Sequence, residues 1–142
     1  MIDPATGEVR LPSADVVLGP RLTRGSFLGS RLAEHARDLE IDEPRYACLF
    51  FIPPGGPGET AFRVSLRFHG ESLTSLELVA VDARFGTSWS DWTEEKELDR
   101  CRFHDEWLET ASGLKPGRYS WGVLESRFDP KGGFSSIIVD FQ

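Results

Sequence analysis

The chain has 142 residues, 39% of them hydrophobic and 27% charged, which excludes a disordered polymer and gives a single domain (1–142) enough apolar material for a core without disulfide staples. Its formal charge is −7, and a net −5 falls on 91–109, where eight acids (Asp91, Glu94, Glu95, Glu97, Asp99, Asp105, Glu106, Glu109) outnumber three bases (Lys96, Arg100, Arg102). Such a segment repels a phosphate backbone and attracts a basic protein, so nucleic acid is excluded as a partner; no stretch approaches the roughly 18 apolar residues of a membrane span, and no basic leader opens the chain, so a cytoplasmic protein is expected.

In chain order, Glu8–Leu11 and Val16–Leu18 read as a short N-terminal hairpin around Pro12-Ser13-Ala14-Asp15. Thr23 is a good N-cap for a first helix, with Phe27, Leu28, Leu32 and Ala36 at helical spacing; Gly29-Ser30 threatens to divide it. The charged stretch from Glu34 to Arg45 reads as an exposed edge or a connection. Tyr46–Ile52 is apolar on both parities, the pattern of a central, well-buried strand. Pro53-Pro54-Gly55-Gly56-Pro57-Gly58 forbids regular structure, and Phe62, Val64, Leu66 and Phe68 then alternate with polar residues in the clearest half-buried strand. His69-Gly70-Glu71 turns the chain into a strand over Leu73–Val81.

A long helix is predicted from Ser90 or Asp91 to about Ala111, with acids in its first turns and Asp91-Glu94 at capping-box spacing. Leu98, Cys101, Phe103, Trp107, Leu108 and Ala111 are its expected inner stripe, and Glu94, Glu95, Asp99, Glu106 and Glu109 its outer face. Gly113 ends it, and Arg118–Phe128 and Phe134–Phe141 form a closing hairpin. The order ββ-α-βββ-α-ββ implies an α+β fold, an antiparallel sheet with two main helices packed on one face.

Catalytic signatures do not emerge. His35, His69 and His104 fall on different elements without ligand spacing, and Cys48 and Cys101 form no CxxC unit, so no metal, cofactor or catalytic residue is assigned and a non-enzymatic protein is expected. Lys131-Gly132-Gly133 lacks the spacing of a phosphate-binding loop and reads as a tight turn whose glycines take positive φ. The most unusual feature is aromatic: Trp89, Trp92 and Trp107 fall between positions 89 and 107, either anchoring the helix or forming a binding surface.

Phe85-Gly86-Thr87-Ser88-Trp89-Ser90-Asp91-Trp92-Thr93-Glu94-Glu95 and Asp129-Pro130-Lys131-Gly132-Gly133-Phe134-Ser135-Ser136 resemble stretches of a family of small bacterial proteins of uncharacterised function. In size, acidity and lack of catalytic groups the chain also resembles the immunity proteins of bacterial toxin systems. That resemblance implies an interaction protein that neutralises a basic toxin, with Trp89, Asp91, Trp92, Glu94, Glu95, Asp99 and Glu106 as partner-binding residues. The alternative expectation is a small-ligand module built on the Trp89, Trp92 and Trp107 cluster, with the 53–58 loop as a lid.

Overall fold

The computed structural model describes residues 1–86 and 88–142. Its centre is one seven-stranded sheet, antiparallel throughout. The strands are β1 (Arg37–Asp42), β2 (Arg45–Ile52), β3 (Ala61–His69), β4 (Ser72–Val81), β5 (Gly117–Tyr119), β6 (Gly122–Asp129) and β7 (Phe134–Phe141), in spatial order β1-β2-β3-β4-β7-β6-β5. Between β4 and β5 runs the one long helix, α2 (Glu94–Ser112). The antiparallel sheet is as expected; two main helices on one face are not.

The first expected helix is the source of that error. Thr23 does cap it, its Oγ1 accepting from the Ser26 amide at 3.1 Å, but α1 covers only Arg24–Leu28 and gives way to a 3₁₀ turn over Arg31–His35. Gly25, Gly29 and Ser30 are weak helix formers, and the one side chain α1 fully buries is Phe27, against Phe50 and Phe68 at 5.2 and 6.3 Å. The charged stretch after it becomes β1, an edge strand exposed along its whole length and crowded with acids, which discourages pairing with another chain. The N-terminal hairpin is reduced to one antiparallel bridge, Val9↔Leu18, with a second bridge Ile2↔Val9 beside it, and these three apolar residues are fully buried in the core.

That inner face is the core. Alternation on β3 places Phe62, Val64, Leu66 and Phe68 inward, beside Cys48, Phe50 and Ile52 of β2 and Leu76, Leu78 and Ala80 of β4. The expectation of a central, doubly covered β2 fails, because β2 is second from the edge and its outer face, with Leu49 and Phe51, meets water. The expected strand Arg118–Phe128 is interrupted at Ser120–Trp121. There the Trp121 ring stacks on Tyr119 at 5.2 Å, and its Nε1–H reaches the Pro4 carbonyl at 3.0 Å, tying the N-terminus to the far edge of the sheet.

Thr93, not Asp91, caps α2, accepting from the Lys96 amide, while Ser88 and Asp91 close a separate 3₁₀ turn over Trp89–Asp91. Of the expected apolar stripe Leu108 is fully buried, but Leu98 is exposed and Cys101 half-buried, and the rest of the inner line of α2 is Glu97, Arg100 and His104. Phe103 and Trp107 pack from the flanks.

Two glycines differ in a checkable way. At Gly122 a Cβ would collide with the Asp140 carbonyl of the neighbouring strand, whereas at Gly113, the left-handed cap of α2, a Cβ meets only open space. Gly113→Ala should cost about 1 kcal/mol from backbone conformation alone. Gly122→Ala should cost at least about 3 kcal/mol, because backbone must move. Urea denaturation of the two variants checks the order.

Candidate functional site

Strands β4 and β7 pair only from Ser75↔Asp140 to Leu78↔Ile137, although both run further. Past that point they separate, and the inner line of α2 fills the opening. The Glu97 carboxylate accepts from the Ser135 amide at 3.0 Å, and His104 Nε2 accepts from the Ala80 amide at 3.0 Å. Both are amides that a continued ladder would have satisfied. Ser135 Oγ donates back to the Glu97 carbonyl at 2.6 Å. Glu97 also pairs with Arg100, one turn along, and both side chains are almost wholly buried. Arg100 donates further to the Phe85 carbonyl at 3.3 Å and, more weakly, toward Gly86, while its Nε–H is buried with no acceptor among the described residues.

Above this wedge lies a recess of about 280 Å³. Glu97 and Arg100 line it together with Arg63 of β3, Phe85, Trp89, Trp92 and Phe134. Its aromatic wall is built from both of the stretches singled out in the sequence. Trp89 packs edge-on against Phe134 at 5.0 Å and lies 6.3 Å from Trp92, and Trp92 Nε1–H donates to the Gly133 carbonyl at 2.7 Å. Gly133 takes positive φ (72°), and a Cβ there would press on the Trp92 ring; Gly132 does not share that conformation.

The expected partner-binding residues divide by environment. Trp89 is 67% exposed, the most exposed large apolar side chain among the described residues, and Glu94, Glu95 and Glu106 are exposed beside or along α2. Asp99 is half-exposed and paired with Arg102. Asp91 is half-buried and accepts from the Ser88 amide at 2.9 Å, and Trp92 is half-buried as an anchor for the β6–β7 turn. Thr87, in the first of the two stretches, lies outside the described residues. Trp107 does not join Trp89 and Trp92: it packs on Phe62 at 5.0 Å and lines a different recess, with Gly58 of the proline-glycine loop and Glu59 after it. The expected three-tryptophan cluster with that loop as its lid is thus two separate features.

Sequence reasoning missed Glu97, Arg100, His104, Ser135 and Arg63. A signal existed: Glu97, Arg100, His104 and Leu108 recur at the three- and four-residue spacing of one helix face. Among the described residues no group of three His, Cys, Asp or Glu side chains is placed to hold a metal ion. Nor is any helix among them long and apolar enough to cross a membrane. Burial, reinforced by a hydrogen bond to Asp38, pushes the Cys48 thiol up to about 12, which makes it a poor nucleophile. No protein-family model, curated protein or solved structure matches the chain.

His104 is wholly buried, and burial together with the nearby Arg100 guanidinium lowers its pKa to about 4. Because Nε2 accepts from Ala80, the neutral ring carries its proton on Nδ1. The unfolded chain takes up a proton near pH 6.5 that the folded chain refuses until about pH 4, so stability is complete above pH 6.5 and falls as the pH drops between those values. The loss should reach about 3 kcal/mol. Urea unfolding from pH 7 to 4 should show that loss in the wild type beyond any slope in His104→Gln, whose amide oxygen still accepts from Ala80. Glu97→Ala, which strands a buried guanidinium and the Ser135 amide, should cost about 3–5 kcal/mol by the same measurement.

Proposed function

We propose that the chain is a non-enzymatic, cytoplasmic interaction protein that holds a basic protein partner at the N-terminal end of α2, in the manner of an immunity protein that neutralises a toxin. The observation that carries this reading is Trp89. It stands 67% exposed and packs edge-on against Phe134, which narrows its conformational freedom before any partner arrives. An exposed tryptophan braced in this way is the kind of side chain that dominates binding energy when a partner covers it. Glu94 and Glu95 follow it at the helix start, and Glu106 and Glu109 extend the acidic face; no ion pair engages these four among the described residues. Acids placed around an apolar anchor accelerate encounter with a basic surface and orient it. The overall charge of −7 and the likeness to toxin immunity proteins support the same reading.

Once a partner is recovered from the native host, the test is kinetic. Glu94→Lys with Glu95→Lys should slow association severalfold at low salt and flatten its salt dependence, at a cost of about 1–2 kcal/mol in stability because both acids sit in the first turn of α2. Trp89→Ala should act mainly on dissociation and weaken binding by about 2 kcal/mol or more. Wild-type association by the charge-reversed protein at low salt would remove the electrostatic part of the proposal, and wild-type affinity of Trp89→Ala would remove its anchor.

A further inference from the structure

We infer that the recess beneath Trp89 is itself a binding site, and that its ligand is a small aromatic carboxylate. The inference goes beyond the protein-partner reading; the two share Trp89, but this one rests on Arg63 and the aromatic lining rather than on the acidic face. A volume of about 280 Å³ admits little more than one ring system with a short substituent. Phe85, Trp89, Trp92 and Phe134 supply apolar faces and edges around it, the surroundings in which a planar ring packs well.

The polar groups decide the charge of that ring. Three titratable side chains line the recess: Arg63, Glu97 and Arg100. The charge of Glu97 is already committed, since one oxygen pairs with Arg100 and the other accepts from the Ser135 amide. Arg63 has no ion pair among the described residues, so the lining carries one uncompensated positive charge. Arg100 is 3% exposed and committed to Glu97 and the Phe85 carbonyl, so Arg63 is the cation a ligand would meet. A carboxylate suits that lining: it is planar, singly charged and matched to the guanidinium fork of Arg63. The acidic rim residues Glu94 and Glu95 do not line the recess, so a ligand there and a partner outside are separable.

The probes are benzoate, its neutral isostere benzamide and the cation benzylamine, titrated into the full chain with tryptophan fluorescence and the Trp89 and Trp92 indole N–H resonances as readouts. Benzoate should give saturable shifts of both resonances below about 10 mM, with benzamide and benzylamine at least about tenfold weaker. Arg63→Gln, a change on an exposed side chain, should weaken benzoate about tenfold and leave benzamide unchanged. Trp89→Ala should weaken benzoate and benzamide alike, while Glu94→Lys with Glu95→Lys should leave benzoate binding intact. Equal affinity for benzoate and benzamide, wild-type benzoate affinity in Arg63→Gln, or no shift of either indole at about 10 mM would each overturn the assignment.

Discussion

The structure turns on a ladder that stops early. β4 and β7 join the two halves of the sheet, yet only Ser75–Leu78 and Ile137–Asp140 are paired. A sheet that opens leaves amides without partners, and buried amides must find them. Here α2 provides the acceptors, Glu97 for Ser135 and His104 for Ala80. The long helix therefore packs on the sheet through specific hydrogen bonds at the middle of its contact face, with apolar packing by Phe103, Trp107 and Leu108 around them. Once Glu97 is committed there, its charge needs a counterion, and Arg100 fills that role one turn along. Arg100 in turn reaches the Phe85 carbonyl and so fixes the start of the loop that carries Trp89 and Trp92. The position of the aromatic recess thus follows from the opening of the ladder.

That arrangement segregates charge. The exposed face of α2 is acidic, and the recess beside it carries the uncompensated cation Arg63. Fields of surface acids extend over about 8–10 Å at physiological ionic strength, whereas a guanidinium lining an aromatic recess acts on what enters it. The two charges therefore act at different distances, which is what separates the proposed macromolecular partner from the proposed small anion. Neither cancels the other, because Glu97, the one acid in the recess lining, is already neutralised by Arg100.

How much of this was legible depended on which physical term each segment obeys. β3 and β4 were readable because one face packs on the core and the other meets water, which imposes a period of two. β2 carries apolar residues on both faces although only one is covered, so its pattern overstated its burial. The first helix looked plausible from Phe27, Leu28 and Leu32, but Gly25, Gly29 and Ser30 govern local conformation there and the helix stops after five residues. The inner line of α2 was illegible to a rule that assigns hydrophobic residues to the inside, since three of its four members are polar. Their burial is dictated by two orphaned amides on strands 20 to 40 residues away in sequence, as the 24- and 38-residue separations of those hydrogen bonds show. The aromatic wall was legible in composition but not in membership: Trp89 and Trp92 belong to it with Phe134, and Trp107 does not.

The four tryptophans make the strongest case for where function lies. Trp92 and Trp121 each satisfy the indole N–H on a backbone carbonyl, of Gly133 and Pro4, and each pins a distant piece of chain. Trp107 packs on Phe62 at the core's edge. These three repay their size in the folded monomer. Trp89 does not: two-thirds of its surface stays in water, and the transfer energy that burial would release, roughly 25 cal/mol per Å², stays largely unrealised. The fold buries or ties down its other tryptophans and holds this one in the open, braced by Phe134 above a cationic recess, which is why the proposed contacts are placed there.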